Sequence, residues 1–236
     1  MKFGIVVFPG SNCEHDVYHV AKHLLGHEAA FLWHKDASFT GIDCVVLPGG
    51  FAHGDYLRCG AMARFSPIMG AVKQFAEKGG PVFGICNGFQ ILTEAGLLPG
   101  ALVRNAGLQY LCRDVHLRLE RQDTPFTGRI KTGSVLTIPI GHGEGCYFAP
   151  DHVLKELEAK RQVVFRYCDA AGEITADSNP NGSLHAIAGL SNEKGNVLGM
   201  MPHPDRCAEE VLGKADGRRL FDSIVHAWQQ GRRNRL

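Results

Sequence analysis

The stretch Pro81–Gly96, PVFGICNGFQILTEAG, passes from a short apolar run into helical periodicity, with one cysteine at the corner. PVFGI (81–85) reads as a buried strand, and glycines stand two residues before and two residues after Cys86. This G-x-C-x-G spacing is the thiol counterpart of a nucleophile elbow. A strand turns abruptly into a helix, neighbouring backbone comes too close for side chains, and the sulfur is presented at the carboxyl end of the sheet. Open α/β folds bind their ligands at that edge. By itself the motif fits a nucleophile and a structural turn with an incidental cysteine equally well.

Upstream, FGIVVF (3–8) reads as a buried parallel strand, followed by Val17, Val20, Ala21, Leu24 and Leu25 at helical spacing. AAFLW (29–33) and CVVLP (44–48) are further strands. Ser66-Pro67 offers an N-cap and first helical residue for a helix that Gly79 closes. Alternation of this kind predicts an α/β fold with a doubly wound, mostly parallel central sheet and flanking helices. Downstream the character changes. VHLRLE (115–120) alternates strictly, SVLTIPI (134–140) and VVFRYC (163–168) read as strands, and a helix is expected from about Asp151 to Lys160. HAIAGL (185–190) and NVLGMMP (196–202) suggest a strand pair, and Leu220, Phe221, Ile224, Val225 and Trp228 give a last helix its apolar face. These segments predict a smaller antiparallel extension. With no repeat and no linker, one domain over 1–236 is expected.

The chain has 236 residues, 44% hydrophobic and 21% charged, with a net charge of +1, which is ordinary globular composition. There is no basic excess to argue for nucleic acid, and the tail GRRNRL (231–236) reads as a solvated end. KFGIVVFPG is followed at once by SNCEHD, so no signal peptide is expected, and no run approaches membrane-spanning length. None of the eight cysteines is spaced as C-x-x-C, and the twelve histidines show no metal-binding spacing. The expectation is a cytoplasmic protein with reduced cysteines, no bound metal and no membrane partner.

A thiol nucleophile needs a base and a site for the oxyanion. MPHPDR (201–206) sets His203 between two prolines that restrict its backbone, with Asp205 two residues on. Cys86, His203 and Asp205 form a candidate Cys–His–carboxylate triad. LPGGF ends a strand at Gly49-Gly50, where bare backbone amides can point at a ligand, and Asn87 follows the elbow nucleophile as the second donor.

LPGGF, GICNGFQIL and MPHPDR, in that order, resemble the triad-type (class I) glutamine amidotransferases. FPGSNCEHD (8–16), GGFAHGDYLRCGAMARFSPIM (49–69), LLPGALVRN (97–105), IPIGHGEGCYFA (138–149) and NPNGSLHAIAGL (179–190) resemble, more narrowly, the branch of that family serving purine biosynthesis. The resemblance implies that Cys86 is the nucleophile, His203 its base, Gly50 and Asn87 the oxyanion donors, and Gln90 a wall of the glutamine pocket. The family usually carries Glu two residues after the histidine, where this chain has Asp205. Asp55 and Arg58 read as a structural ion pair in a docking segment, and His142 and Glu144 of GHGEG as part of a subunit-contact loop. The resemblance further implies an ATP- and Mg-using synthetase subunit, with a small accessory subunit, that receives the ammonia and converts formylglycinamide ribonucleotide to the amidine. No phosphate-binding motif places ATP or any other cofactor on this chain. Two other readings are a glutaminase serving a different acceptor and a non-catalytic sensor with an oxidisable elbow cysteine. The sensor leaves His203-Pro-Asp205 unexplained.

Overall fold

A computed structural model describes residues 1–233; positions 234–236 of the basic tail lie outside the described residues. The chain runs β1 (Lys2–Val7), α1 (Glu14–His19), β2 (Glu28–Trp33), β3 (Cys44–Leu47), α2 (Ile68–Glu77), β4 (Val82–Ile85) and α3 (Asn87–Glu94). It continues through β5 (Ala101–Val103), β6 (Leu111–Leu119), β7 (Val135–His142), β8 (Cys146–Phe148) and α4 (Asp151–Ala159). The last elements are β9 (Val163–Cys168), β10 (Ile187–Ser191), β11 (Val197–Met200) and α5 (Arg218–Arg233).

Nine strands form one sheet in the order β2-β1-β3-β4-β11-β10-β9-β6-β7. From β2 to β11 every pairing is parallel, and from β11 to β7 every pairing is antiparallel. The antiparallel strands therefore continue the main sheet, and among the described residues only β5 and β8 pair apart from it. β3, β4 and β11 are buried at every position, as strands covered by helices on both faces must be. β6 from Val115 onward alternates buried and half-buried, which suits a sheet with one wetter face. Phe83 of β4 packs 5.5 Å from Phe126 and 6.0 Å from Phe221 of α5, ring centre to ring centre, and joins the two halves of the core.

Two local expectations change. Ser66 does not cap α2; Pro67 takes that place without a side-chain bond, because the Ser66 hydroxyl pairs with His34 Nδ1 at 3.1 Å. The helical pattern after β1 passes from α1 into a π turn over Val20–Leu24, still burying Val17, Val20 and Ala21. Gly79 does close α2, at a φ of +88°. Among the described residues no helix is long and apolar enough to cross a membrane.

The sheet order positions the candidate site. β3, β4 and β11 are consecutive and parallel, so the segments leaving their carboxyl ends meet. Those segments carry Gly49-Gly50, Cys86 and His203 respectively.

Candidate active site

Cys86 sits between β4 and α3 with φ 51° and ψ −106°, a conformation L-residues rarely adopt and one that costs about 1–3 kcal/mol. The surroundings enforce it. The Cys86 amide donates to Met200 O at 2.8 Å, and the Cys86 carbonyl accepts from Phe89 N at 2.9 Å, opening α3. The flanking glycines are steric necessities. A Cβ on Gly84 would lie 2.5 Å from Leu92 Cδ1, and one on Gly88 would run into the backbone carbonyl of Leu47. Cys86 is 5% exposed, and its sulfur faces the Gly141 carbonyl at 3.7 Å. Its weak partner leaves it available.

His203 follows β11 and is fixed by its amide, which donates to Pro139 O at 2.8 Å. Pro204 opens a short 3-10 turn that returns Asp205 beneath the imidazole. His203 Nδ1 lies 3.4 Å from Asp205 Oδ1, both side chains being buried. The atoms are not aligned as a hydrogen bond, and neither carboxylate oxygen has any other partner among the described residues. Burial opposes a charge on His203, but the Asp205 charge and the nearby Cys86 sulfur outweigh it and hold the imidazole pKa well above its ordinary value. With Nδ1 turned to Asp205, Nε2 is the ring nitrogen that points away from the carboxylate.

Gly50, at φ +136°, forms an isolated bridge with Ser11 that uses Phe51 N to Gly10 O and Asn12 N to Gly49 O. That pattern leaves the Gly50 amide out of the bridge. A Cβ there would meet Asn12 N at 2.6 Å, so only glycine fits. The Asn87 amide lies in the first turn of α3, where helix amides have no partner within the helix. The Asn87 side chain accepts from Ala52 N at 3.0 Å and donates to Gln90 Oε1 at 2.8 Å. Gln90 Nε2 donates in turn to Glu144 O at 2.6 Å. Gln90 is thereby fixed between α3 and the GHGEG loop.

Two expectations are corrected, and one residue joins the site unforeseen. Arg58 pairs with Glu94, at 2.6 and 2.8 Å, and not with Asp55, which accepts from Asn87 Nδ2 at 3.2 Å. His142 is not a contact residue: it is buried, with Nδ1 3.1 Å from Asn105 Oδ1. Cys13 is more than a core hydrophobe. Its sulfur lies with His203 and Asp205, their ligand-type atoms all within 4.8 Å of one another, and Arg206 Nη2 donates to it at 3.0 Å. Burial pushes the Cys13 thiol pKa up. No spacing rule links residue 13 to residue 203; only the β1–β3–β4–β11 order brings them together.

Residues 1–231 match the family model for the CobB/CobQ-like glutamine amidotransferase domain. Phosphoribosylformylglycinamidine synthase subunit PurQ of Moorella thermoacetica is 58% identical, over 99% of each chain. The subunit of that name from Gloeobacter violaceus is 60% identical, over 95% of this chain and 97% of its own. Among solved structures, a chain of PurLQS from Thermotoga maritima superposes with a TM-score of 0.84 and 42% identity, covering 96% of this chain and 98% of that one.

Proposed function

The chain belongs to the CobB/CobQ-like glutamine amidotransferase family, and from that premise we propose how it works as the glutaminase subunit of phosphoribosylformylglycinamidine synthase. The observation that carries the chemistry is a thiol held at a strained strand-to-helix corner beside a buried His203–Asp205 pair.

His203 Nε2 takes the Cys86 proton, and the sulfur attacks the side-chain amide carbon of glutamine. Charge develops on the amide oxygen, where the Gly50 and Asn87 amides receive it. The imidazolium, stabilised by Asp205, then protonates the leaving nitrogen; the C–N bond breaks and ammonia departs, leaving a γ-glutamyl thioester on Cys86. Water attacks the thioester, His203 accepts its proton and returns it to the sulfur, and glutamate leaves. Gln90, held by Asn87 and the Glu144 carbonyl, walls the glutamine pocket.

Ammonia released to water at neutral pH becomes ammonium and is lost as a nucleophile. It therefore passes within a complex to a synthetase subunit, which uses ATP and Mg to make formylglycinamidine ribonucleotide, in the cytoplasm and with a small accessory subunit. Support for a docking face comes from segment 51–65. It exposes Phe51, Tyr56, Leu57, Met62 and Phe65 to solvent and holds His53, Asp55 and Leu57 at positive φ. Exposed apolar side chains on a strained loop beside the site suit a partner surface.

Cys86→Ala tests the reading. In the assembled synthase it abolishes glutamine-dependent amidine formation and leaves ammonia-dependent synthesis in place. A variant that still hydrolyses glutamine refutes the nucleophile. Covalent labelling of Cys86 by a glutamine-analogue electrophile separates the enzyme from a redox sensor.

A further inference from the structure

We propose that Cys13, His203 and Asp205 form a site for a thiophilic divalent cation such as Zn²⁺, and that a cation there silences the glutaminase. The three residues come from segments 190 residues apart in sequence and are all buried. Sulfur, imidazole and carboxylate are the donor set zinc takes, with one tetrahedral position left for water.

The geometry favours a cation over the pair alone. The separation of 3.4 Å between His203 Nδ1 and Asp205 Oδ1 is long and misaligned for a hydrogen bond. It matches the edge of a tetrahedron, about 3.3–3.4 Å, for nitrogen and oxygen ligands each about 2.0–2.1 Å from zinc. Both Asp205 oxygens and His203 Nδ1 are buried without a hydrogen-bond partner among the described residues, an arrangement that ordinarily calls for explanation. Gly49 keeps the space between the ligands clear. A Cβ there would stand 3.1 Å from Cys13 Sγ, 3.4 Å from His203 Nδ1 and 2.6 Å from its Cε1. Charge also balances: a Cys13 thiolate and the Asp205 carboxylate offset a divalent ion, while Asp16 accepts from Arg206 Nε at 3.1 Å and offsets the neighbouring guanidinium. The Cys13 thiol, which donates to Asn12 Oδ1 at 3.0 Å, and the His203 imidazolium, through Nδ1, each lose a proton to solvent as the metal binds.

Silencing follows from the ring. An imidazole that binds a cation through Nδ1 carries its one proton on Nε2 and has no lone pair left for the Cys86 thiol. Asp205 is drawn into the metal shell at the same time. This consequence rests on the reading of His203 as the base; the cation site itself does not.

The test uses Co²⁺ as an absorbing stand-in, in chains carrying Cys112→Ser to remove the exposed thiol. Cys86→Ala should bind one equivalent with thiolate-to-cobalt absorption that Zn²⁺ displaces. Cys13→Ser, and separately Asp205→Asn, should bind at least tenfold more weakly. In the assembled synthase, Zn²⁺ should inhibit glutamine hydrolysis reversibly to chelator. In Cys13→Ser, measured against its own chelator-treated rate, the inhibitory concentration should rise at least tenfold. Absorption lost in Cys86→Ala but kept in Cys13→Ser, or no stoichiometric binding, overturns the site. Cys13-dependent binding that leaves hydrolysis untouched overturns the silencing and also counts against His203 as base.

Discussion

His203 Nδ1 and Asp205 Oδ1 stand 3.4 Å apart, buried together and without a hydrogen bond between them. The shorter aspartate, where the family usually has glutamate, thus reaches the imidazole directly but only as a charge. A carboxylate in that position stabilises the imidazolium that forms as Cys86 gives up its proton. Asp205→Asn keeps the shape and removes the charge. It should lower kcat for glutamine hydrolysis by about 10- to 100-fold, less than the loss of His203, since the general acid–base catalysis proposed for it is worth up to about 10⁴-fold. KM should change little if Asp205 acts through the imidazole, as the proposed mechanism has it. Asp205→Glu should stay within about tenfold of the parent. An Asp205→Asn variant with the parent kcat would reduce the working unit to a Cys86–His203 dyad.

Much of this was legible because it is local. G-x-C-x-G, the two glycines of LPGGF and the His-Pro-Asp run each encode a backbone shape within a few residues, and each shape appears at the end of a neighbouring parallel strand. What the sequence concealed depends on side chains choosing among distant partners. Ser66 turned to His34 instead of capping its helix, Arg58 found Glu94 in place of Asp55, and His142 was buried by Asn105 and Gly145. Cys13 is the extreme case, since its neighbours are set by strand order alone. The antiparallel strands were readable by alternation, but their continuity with the parallel sheet was not, because β10 owes its place to pairing on both edges.

The elbow glycines yield a prediction about stability. Gly88→Ala sets a methyl against the Leu47 carbonyl, a backbone atom that cannot swing aside. The cost should reach about 3 kcal/mol or more, at the upper end for overpacking in a core. Gly70 is the control. It is exposed within α2 with nothing near its Cβ position, so Gly70→Ala should stabilise by about 0.5–1 kcal/mol. Urea unfolding of both variants checks the contrast, and equal effects would refute the steric argument.

His142 makes a prediction about acid. Asn105 donates through Nδ2 to the His142 and Gln109 carbonyls, so its Oδ1 is an acceptor and His142 Nδ1 donates to it. Burial, and then the neighbouring His203, lower the His142 pKa from 6.5 to about 4. Above the unfolded value both states hold the ring neutral and it adds no pH dependence. Between about 6.5 and about 4 the unfolded chain takes a proton that the native ring refuses, so stability falls as pH falls. Complete, that loss amounts to about 3 kcal/mol. His142→Asn retains a donor and removes the titration. The variant should lose about 2–3 kcal/mol less than the parent between pH 7 and pH 4.5 in urea unfolding. Parallel stability curves would mean that His142 is protonated in the native state.

The segment between β3 and α2 should carry the signal from the partner. Leu57 and Phe65 are 76% and 71% exposed, while Asp55 of the same loop bonds Asn87 and a Cβ on Gly60 would touch Gln90. A partner pressing on the apolar tips would thus act on Asn87 and Gln90, two α3 residues that closely follow Cys86. Leu57→Ser removes contact surface that is exposed in the isolated chain, and its stability should move by no more than about 0.5 kcal/mol; Phe65→Ser also gives up the Arg64 guanidinium 4.5 Å over the ring, so it should cost no more than about 1 kcal/mol. Binding to the synthetase subunit should weaken about tenfold or more, the effect of losing a well-packed apolar anchor. Glutaminase activation on mixing should fall in step, recovering at high synthetase concentration. If both variants assemble and activate as the parent does, the loop is an exposed rim and the signal enters elsewhere. The GHGEG loop, which holds Gln90 through the Glu144 carbonyl, is then the remaining route to the pocket.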